Sequence, residues 1–360
     1  MSFFGITVET IDTIGPIADA DRIQVASLKG LGFSFVIAKD QFKVGDQVLY
    51  FPVDSLLPLP LAEKLGVAGK LAGSNKDRVK TVKLKGVMSQ GIVGPFSLLE
   101  PWLVENYGSD WLEKGIEIKS SEITEWLGVT KYEPPEVVCH GGKLVRHVEF
   151  IETYDLEGAD RYFKVADQMM DIPVYISSKI EGSNFYCGVD VTGNCVVGQR
   201  SGVIIPDDSS THTWWSTAIM QGLLDASIKI RNELFPGMSV ILRGEIIGSG
   251  IQGDYYCLGK HKILIFDIKV NDKYLSAQEF LDICQKYGVQ TVPVLSVGKT
   301  LREWLNGRTI KDASNHRSTL VNKLEEGIVV KPMIEQFSDV LGGRMVIKQR
   351  SPEYLAKSDN

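Results

Sequence analysis

The sequence predicts an α+β protein in which a small N-terminal β-barrel precedes a larger domain of antiparallel sheets flanked by helices. Three observations carry this expectation. The N-terminal part is dense in short β-type runs broken by Gly, Pro and Asp, among them RIQVASL, FSFVIAK, QVLYFPV, RVKTVKL and GIVGPF. That is the rhythm of a barrel built from hairpins. The second half alternates strand-like runs (VYISSKI, FYCGVDV, NCVVGQR, SVILRGEII, HKILIFDIKV, GIVVKP, RMVIKQR) with the helix-like runs WWSTAIMQGLLDASIKIRNEL and SAQEFLDICQKYG. Its strands alternate in polarity, as antiparallel sheets do. Between the halves, KYEPPEVVCHGG carries a Pro pair and a Gly pair, the strongest boundary signal in the chain.

Taken in chain order, residues 1–132 form the barrel with a helical, amphipathic extension from about Pro101 to Trp126, residues 133–142 a short ordered linker, and residues 143–360 the second domain. Two phrases sharpen the first assignment: IGPIADADRIQVASL, from Ile14 to Leu28, and VKLKGVMSQGIVGP, from Val82 to Pro95. Together they resemble the OB-fold tRNA-binding module fused to some aminoacyl-tRNA synthetases, which implies an OB-type barrel that binds nucleic acid.

Composition bounds the function classes. The chain is 44% hydrophobic and 23% charged, ordinary for a globular protein with more than one core. No apolar run is long enough to cross a bilayer, and MSFFGITVETIDTI lacks the basic start of a secretory signal. No membrane association and an intracellular, by default cytoplasmic, location are therefore expected. The five cysteines, Cys139, Cys187, Cys195, Cys257 and Cys284, are odd in number and scattered, which fits free thiols rather than disulfides or a structural zinc site. The histidines His140, His147, His212, His261 and His316 show no ligand spacing, and none reads as catalytic. Trp214 and Trp215 open a helix and read as packing residues.

A net charge of −6 does not exclude nucleic acid, because phosphate binding needs only local positive charge. The densest basic run, NKDRVKTVKLK from Asn75 to Lys85, suits contact with an RNA backbone, and equally a charged edge strand that resists aggregation.

The chemistry concentrates around KIEG, Lys179 to Gly182. A lysine that attacks phosphorus must be a free amine with neighbours that lower its pKa. The KxxG pattern occurs four times, at Lys29, Lys70, Lys83 and Lys179. Only the last is followed, in order, by a suitable set of partners: KIEGSN with Asn184, GQRSG with Arg200, RGEIIG with Glu245, IFDIKV with Phe266 and Asp267, EEGIVVKP with Glu326 and Lys331, and VIKQRS with Lys348 and Arg350.

This ordered set resembles the nucleotidyltransferase motifs shared by polynucleotide ligases and mRNA capping enzymes. With an N-terminal OB module it resembles the RNA ligase 5 family. The resemblance implies a nucleotidyltransferase (ATP-grasp-like ligase) domain that uses ATP with Mg²⁺ or Mn²⁺ and acts on RNA. It implies that Lys179 attacks the α-phosphate to form a lysyl–AMP intermediate. Glu181, Glu245 and Glu326 are then the metal ligands, since hard cations take oxygen donors. Ile180, Arg200, Glu245, Phe266, Glu326, Lys331, Lys348 and Arg350 are then nucleotide contacts, with Phe266 against adenine and the lysines on phosphate. Asn184 is a substrate contact. Phe266 also lies in an apolar run that suits plain core.

Two departures stand out. Glu181 sits where Asp is commoner, and Arg350 where a second lysine is commoner. A DNA ligase or capping guanylyltransferase carries an OB domain after the last lysine motif, and none is expected after Lys348. A non-catalytic RNA-binding protein would not need Lys179, Glu245, Glu326 and Lys348 intact. The expectation is an RNA ligase acting as a monomer, with resemblance pointing to nicked duplexes that carry RNA on the 3′-hydroxyl side.

Overall fold

A computed structural model describes residues 3–133, 141–145 and 151–357. Pro134 and Pro135 of the expected boundary, with Cys139, His140 and His147, lie outside the described residues, as does most of the expected 133–142 linker. The chain divides into two compact units, Ser2–Pro135 with Leu355–Asn360, and Glu136–Tyr354.

In the first unit the strands are β1 (Thr7–Ile17), β2 (Ala20–Leu28), β3 (Ser34–Ala38), β4 (Gln47–Phe51), β5 (Thr81–Leu84), β6 (Val87–Gln90) and β7 (Ile92–Pro95). Five of them make one antiparallel sheet in the order β3-β2-β1-β4-β7, and β5 and β6 form a hairpin. The sheet curls until β3 meets β6. There Ser34 Oγ donates to the Met88 carbonyl at 3.2 Å and the Val36 N–H donates to Ser89 Oγ at 3.0 Å. Side-chain hydroxyls thus stitch the seam of the expected OB-type barrel.

Strand β4 reads QVLYF because it is buried on both faces. Val48 and Tyr50 join the barrel core with Ile11, Phe35 and Ile37. Leu49 and Phe51 join a second core with Trp102, Leu103 and Ile123. The expected helical stretch over 101–126 holds two helices, Glu100–Tyr107 and Ser120–Trp126, the first ended at Gly108 with φ of 88°. The basic run divides. Arg78 is held by Asp54 at 2.7 Å and lies 3.6 Å above the Tyr132 ring, whereas Lys83 and Lys85 project from the exposed hairpin tip.

The second unit has two main sheets. The seven-stranded one runs β8 (Gly142–Val145), β13 (Gly202–Pro206), β12 (Cys195–Gln199), β11 (Ser183–Val189), β14 (Val240–Ile247), β15 (Lys262–Val270), β16 (Lys273–Tyr274). The five-stranded one runs β9 (Glu157–Gly158), β19 (Ile347–Arg350), β18 (Gly327–Pro332), β10 (Pro173–Lys179), β17 (Val294–Thr300). All pairings are antiparallel except the short β9–β19 one.

Each sheet packs one face against helices. Val240, Leu242 and Ile246 of β14 pack with Trp214, Ile230 and Phe280 from helices. Val174 and Ile176 of β10 pack with Val165, Leu301 and Ala313. Side chains alternate along a strand, so Glu245 on β14 and Lys179 on β10 are excluded from these cores. The expected helix from Trp214 to Leu234 is two helices, Thr213–Met220 and Leu223–Leu234, because Gly222 between them is left-handed with φ 68°. Among the described residues, Cys187, Cys195, Cys257 and Cys284 are free, and no helix is long and apolar enough to cross a membrane.

Candidate active site

Lys179 is the last residue of β10, and the strand register assembles its neighbours. Lys179 lies opposite Gly327 on β18, Gly327 opposite Arg350 on β19, and Val329 opposite Lys348. Directly cross-paired residues share a face, so Lys179, Lys331, Lys348 and Arg350 stand on one side of the sheet. Glu326 immediately precedes β18. Its Oε2 accepts from Lys179 Nζ at 2.5 Å, and its Oε1 lies 3.2 Å from Arg350 Nε. Gly327 permits this closeness: a Cβ there would stand 2.1 Å from the Gln349 carbonyl oxygen.

The seven-stranded sheet supplies Glu245, and Glu181 lies in the turn between β10 and β11. Asn184 on β11 pairs with Glu245 on β14, and Asn184 Oδ1 is buried with no hydrogen-bond partner among the described residues. The glycine of KIEG has a steric reason. A Cβ on Gly182 would stand 2.6 Å from the Ile246 carbonyl oxygen and 2.7 Å from Glu245 Cγ, so a larger residue would push the lysine loop off the strand that bears Glu245.

Phe266 is the extra residue of a β-bulge. Arg243 pairs with Asp267 and Gly244 with Ile265, which skips residue 266. A bulge shifts the alternation by one, so Ile265 and Ile268 both stay in the core while Asp267 points to the opposite face. Phe266 itself is half-buried, its ring centroid 4.9 Å from that of Tyr154. Ile180 has its side chain in an apolar cluster with Ile247, Tyr256 and Leu264.

The charges bias one another. Burial works to lower the Lys179 pKa, but Glu326 and Glu245 outweigh it and raise it, so the amine is held as ammonium. Burial works to raise the Glu326 pKa, and Lys179 and Arg350 pull it below the ordinary value. Glu245 is pushed up to about 8 by burial, with Glu326 and Glu181 adding to the rise against Lys179. Glu181 is pushed up to about 7 by burial and by Glu326. Burial lowers the Lys348 pKa, Lys179 and Arg350 adding to the effect against Asp155. Burial is the largest cause of the rise at both Glu181 and Glu245.

Those acids suit a hard divalent cation in donor type. They are not gathered as a ready cage: among the described residues no group of three or more His, Cys, Asp or Glu stands close enough to hold a metal. Glu326 is committed to Lys179 and Arg350, whereas the Tyr354 hydroxyl donates to one oxygen of Glu181, Oε2, at 2.5 Å.

Lys179, Glu181, Glu245, Glu326, Lys348 and Arg350 thus come together. The other expected residues sit around them. Lys331 is buried in an ion pair with Asp267 at 2.8 Å, and Asp267 also receives Arg344 at 2.9 Å and the Tyr154 hydroxyl at 3.1 Å. Lys348 and Arg200 reach the two oxygens of Asp155, at 3.4 and 3.3 Å. Asp155, Tyr256 and Tyr354 escape a reading of the sequence alone. They lie outside the six motifs, and only the packing brings them in.

Comparison with known proteins agrees with this fold. Residues 172–349 match the RNA ligase family, and residues 5–96 match an OB-fold domain family. No curated protein sequence matches the chain. Among solved structures, a Naegleria gruberi RNA ligase variant with ATP and Mn is similar at 24% identity and TM-score 0.76, over 98% of this chain and 99% of that one. A second variant of that ligase with AMP and Mn, and the ligase with PPi, each show 24% identity and TM-score 0.75 over 98% of both chains. The segment that is similar to the RNA ligase family contains Lys179, Glu181, Glu245 and Glu326.

Proposed function

We propose that the chain is an ATP-dependent RNA ligase that carries AMP on Lys179 Nζ and seals 3′-hydroxyl to 5′-phosphate ends. The observation that carries this is the Lys179–Glu326 contact at 2.5 Å within reach of Glu245 and Glu181. In-line attack by Nζ on the α-phosphorus forms a phosphoramide bond and breaks the bond to pyrophosphate. The AMP then passes to a 5′-phosphate, and a 3′-hydroxyl displaces it to close the strand. Such transfers depend mainly on positioning and charge neutralisation.

The attacking amine must lose its proton, and here Glu326 and Glu245 hold that proton on. A bound Mg²⁺ or Mn²⁺ would supply charge neutralisation at the α-phosphate. Glu181, Glu245 and Glu326 would hold it, and the field that raises the lysine would then fall. Lys348 and Arg350 share the face of Lys179 and would take phosphate oxygens, with Lys331 farther along that face. Phe266, lifted from the strand by its bulge, would stack on adenine. Asn184 and Arg200 would meet nucleotide or RNA, and Ile180 would line the nucleotide site.

The similar structures with ATP, AMP, PPi and Mn support this choice of ligands. The OB-fold match and the exposed Lys83 and Lys85 support RNA contact by the first domain, assigned to residues 1–132, with 133–142 as linker and 143–360 as the adenylyltransferase domain. The fuller reading is a cytoplasmic monomer acting on nicked duplexes with RNA on the 3′-hydroxyl side.

Incubation with Mg²⁺ and α-labelled ATP tests it. Label surviving denaturation in the wild type and absent from Lys179→Ala is expected. Labelling by GTP alone would indicate capping chemistry, and no labelling by either nucleotide would leave only RNA binding. Sealing assays with RNA or DNA on each side of a nick then decide the substrate.

A further inference from the structure

Glu181 stands two residues after the nucleophile, and two buried tyrosines grip it. The Tyr354 hydroxyl donates to Glu181 Oε2 at 2.5 Å. The Tyr256 hydroxyl accepts from the Glu181 N–H at 2.9 Å and donates to Glu325 Oε2 at 2.7 Å. Tyr255 meets both rings edge-on, with centroids 5.2 and 5.5 Å away.

Tyr354 is itself fixed to the nucleophile's partner. It lies in the helix Pro352–Lys357, directly after β19 with Lys348 and Arg350. Ser351 joins the two elements. Its N–H donates to the Glu326 carbonyl at 2.8 Å, and its Oγ accepts the Tyr354 N–H at 3.0 Å. The backbone of Glu326 therefore sets where the Tyr354 hydroxyl stands.

We infer that Tyr354 is a positioning residue, which fixes the side chain of Glu181 against the Lys179–Glu326 cluster and is matched to the length of a glutamate. Glutamate has one more rotatable bond than aspartate, and an untethered carboxylate would lose its defined position. An aspartate at 181 would stop one carbon–carbon bond short, about 1.5 Å, and could not reach the hydroxyl. The long acid and the tyrosine form one unit, and Tyr256 fixes the backbone beneath it.

This rests on the reading of Glu181 as a metal ligand in adenylylation. The test is a Mg²⁺ titration of Lys179 labelling by α-labelled ATP, using the full chain, beside a Mg²⁺ titration of its thermal unfolding midpoint without nucleotide, in which the same shift is expected. Tyr354→Phe is expected to raise the half-saturating Mg²⁺ about tenfold, the scale of one lost hydrogen bond to a charged group. Its rate at saturating Mg²⁺ should stay near the wild-type rate. Glu181→Asp should show a similar shift, and the double variant should be no worse than either single one. A loss of packing alone would lower the rate at every Mg²⁺ concentration and leave the midpoint in place.

If the wild type takes no label, the adenylylation reading itself fails. If the wild type is labelled and the Tyr354→Phe titration superimposes on it, shifts to lower Mg²⁺, or adds to the effect of Glu181→Asp, the positioning role is overturned. Should Tyr354→Phe lose its unfolding transition, Glu181→Asp decides alone, and an unshifted midpoint overturns the role.

Discussion

Lys331 and Asp267 form an ion pair across the two sheets, Nζ to Oδ1 at 2.8 Å, with Lys331 only 2% exposed and Asp267 fully buried. Arg344 joins Asp267 from a second side, and Tyr175 and Phe280 each place a ring centroid 5.4 Å from the Lys331 ammonium. The strand lysine that follows Glu326 therefore helps to clamp β18 to β15 while sharing the sheet face of Lys179.

Removing the carboxylate should expose that clamp. Asp267→Asn is expected to destabilise the protein by about 3–5 kcal/mol, the cost of leaving a buried charge without its partner. Denaturant titration measures it. The pH dependence gives a second readout. Burial works to raise the Asp267 pKa, but Lys331 and Arg344 hold it below its ordinary value. A depressed folded pKa gives stability that is present above the unfolded pKa and lost as pH falls through the folded one. The wild type should therefore lose stability below the ordinary aspartate range, and Asp267→Asn should lose less over that interval.

Glu245 should act in the opposite sense. Its folded pKa of about 8 lies above the ordinary 4.5, so its contribution is full below 4.5 and disappears as pH rises toward 8. In metal-free buffer the thermal midpoint should fall across that window, Mg²⁺ should restore it at the alkaline end, and Glu245→Gln should flatten the profile. A profile in Glu245→Gln identical to wild type would contradict the assignment.

Gly327 holds β18 and β19 close where Glu326 meets Arg350. A methyl group 2.1 Å from the Gln349 carbonyl oxygen forces the strands apart, and overpacking of this kind costs about 1–3 kcal/mol. Gly327→Ala should lose labelling out of proportion to its stability, because the separation falls on the Glu326–Arg350 contact. Calorimetry and the labelling rate at a temperature well below the midpoint separate the two effects.

Phe266 offers a test of the adenine pocket. Phe266→Leu keeps a large apolar group at the bulge but removes the aromatic face, worth about 0.5–1.5 kcal/mol in a ring–ring contact. The KM for ATP in labelling should rise by about two- to tenfold on that scale, with little change in the maximal rate. An unchanged KM would assign Phe266 to packing against Tyr154.

Much of this was legible in the residues. The short β-runs before Pro95 anticipate a curled sheet because turns and alternation are local signals. The order from Lys179 to Lys348 anticipates candidates for the cluster because most of these residues are polar or charged within otherwise apolar strands or at their ends. The helical stretch anticipated over 101–126 and the long helix anticipated over 214–234 are each two helices, broken at Gly108 and Gly222, both of positive φ. Asp155 and Tyr354 carried no signal, since the motifs contain neither and their roles arise only from contact.

By itself the sequence determined the two kinds of domain and singled out Lys179 and the acids that surround it as candidates, because residue type and periodicity are properties of neighbouring positions. The tertiary structure alone decided which groups share a proton, a salt bridge or a wall. It paired Lys331 with Asp267, tied Glu181 to Tyr354, and made Phe266 the bulged residue. These depend on strand register and on which sheet face meets which, and a one-residue change in either would invert them.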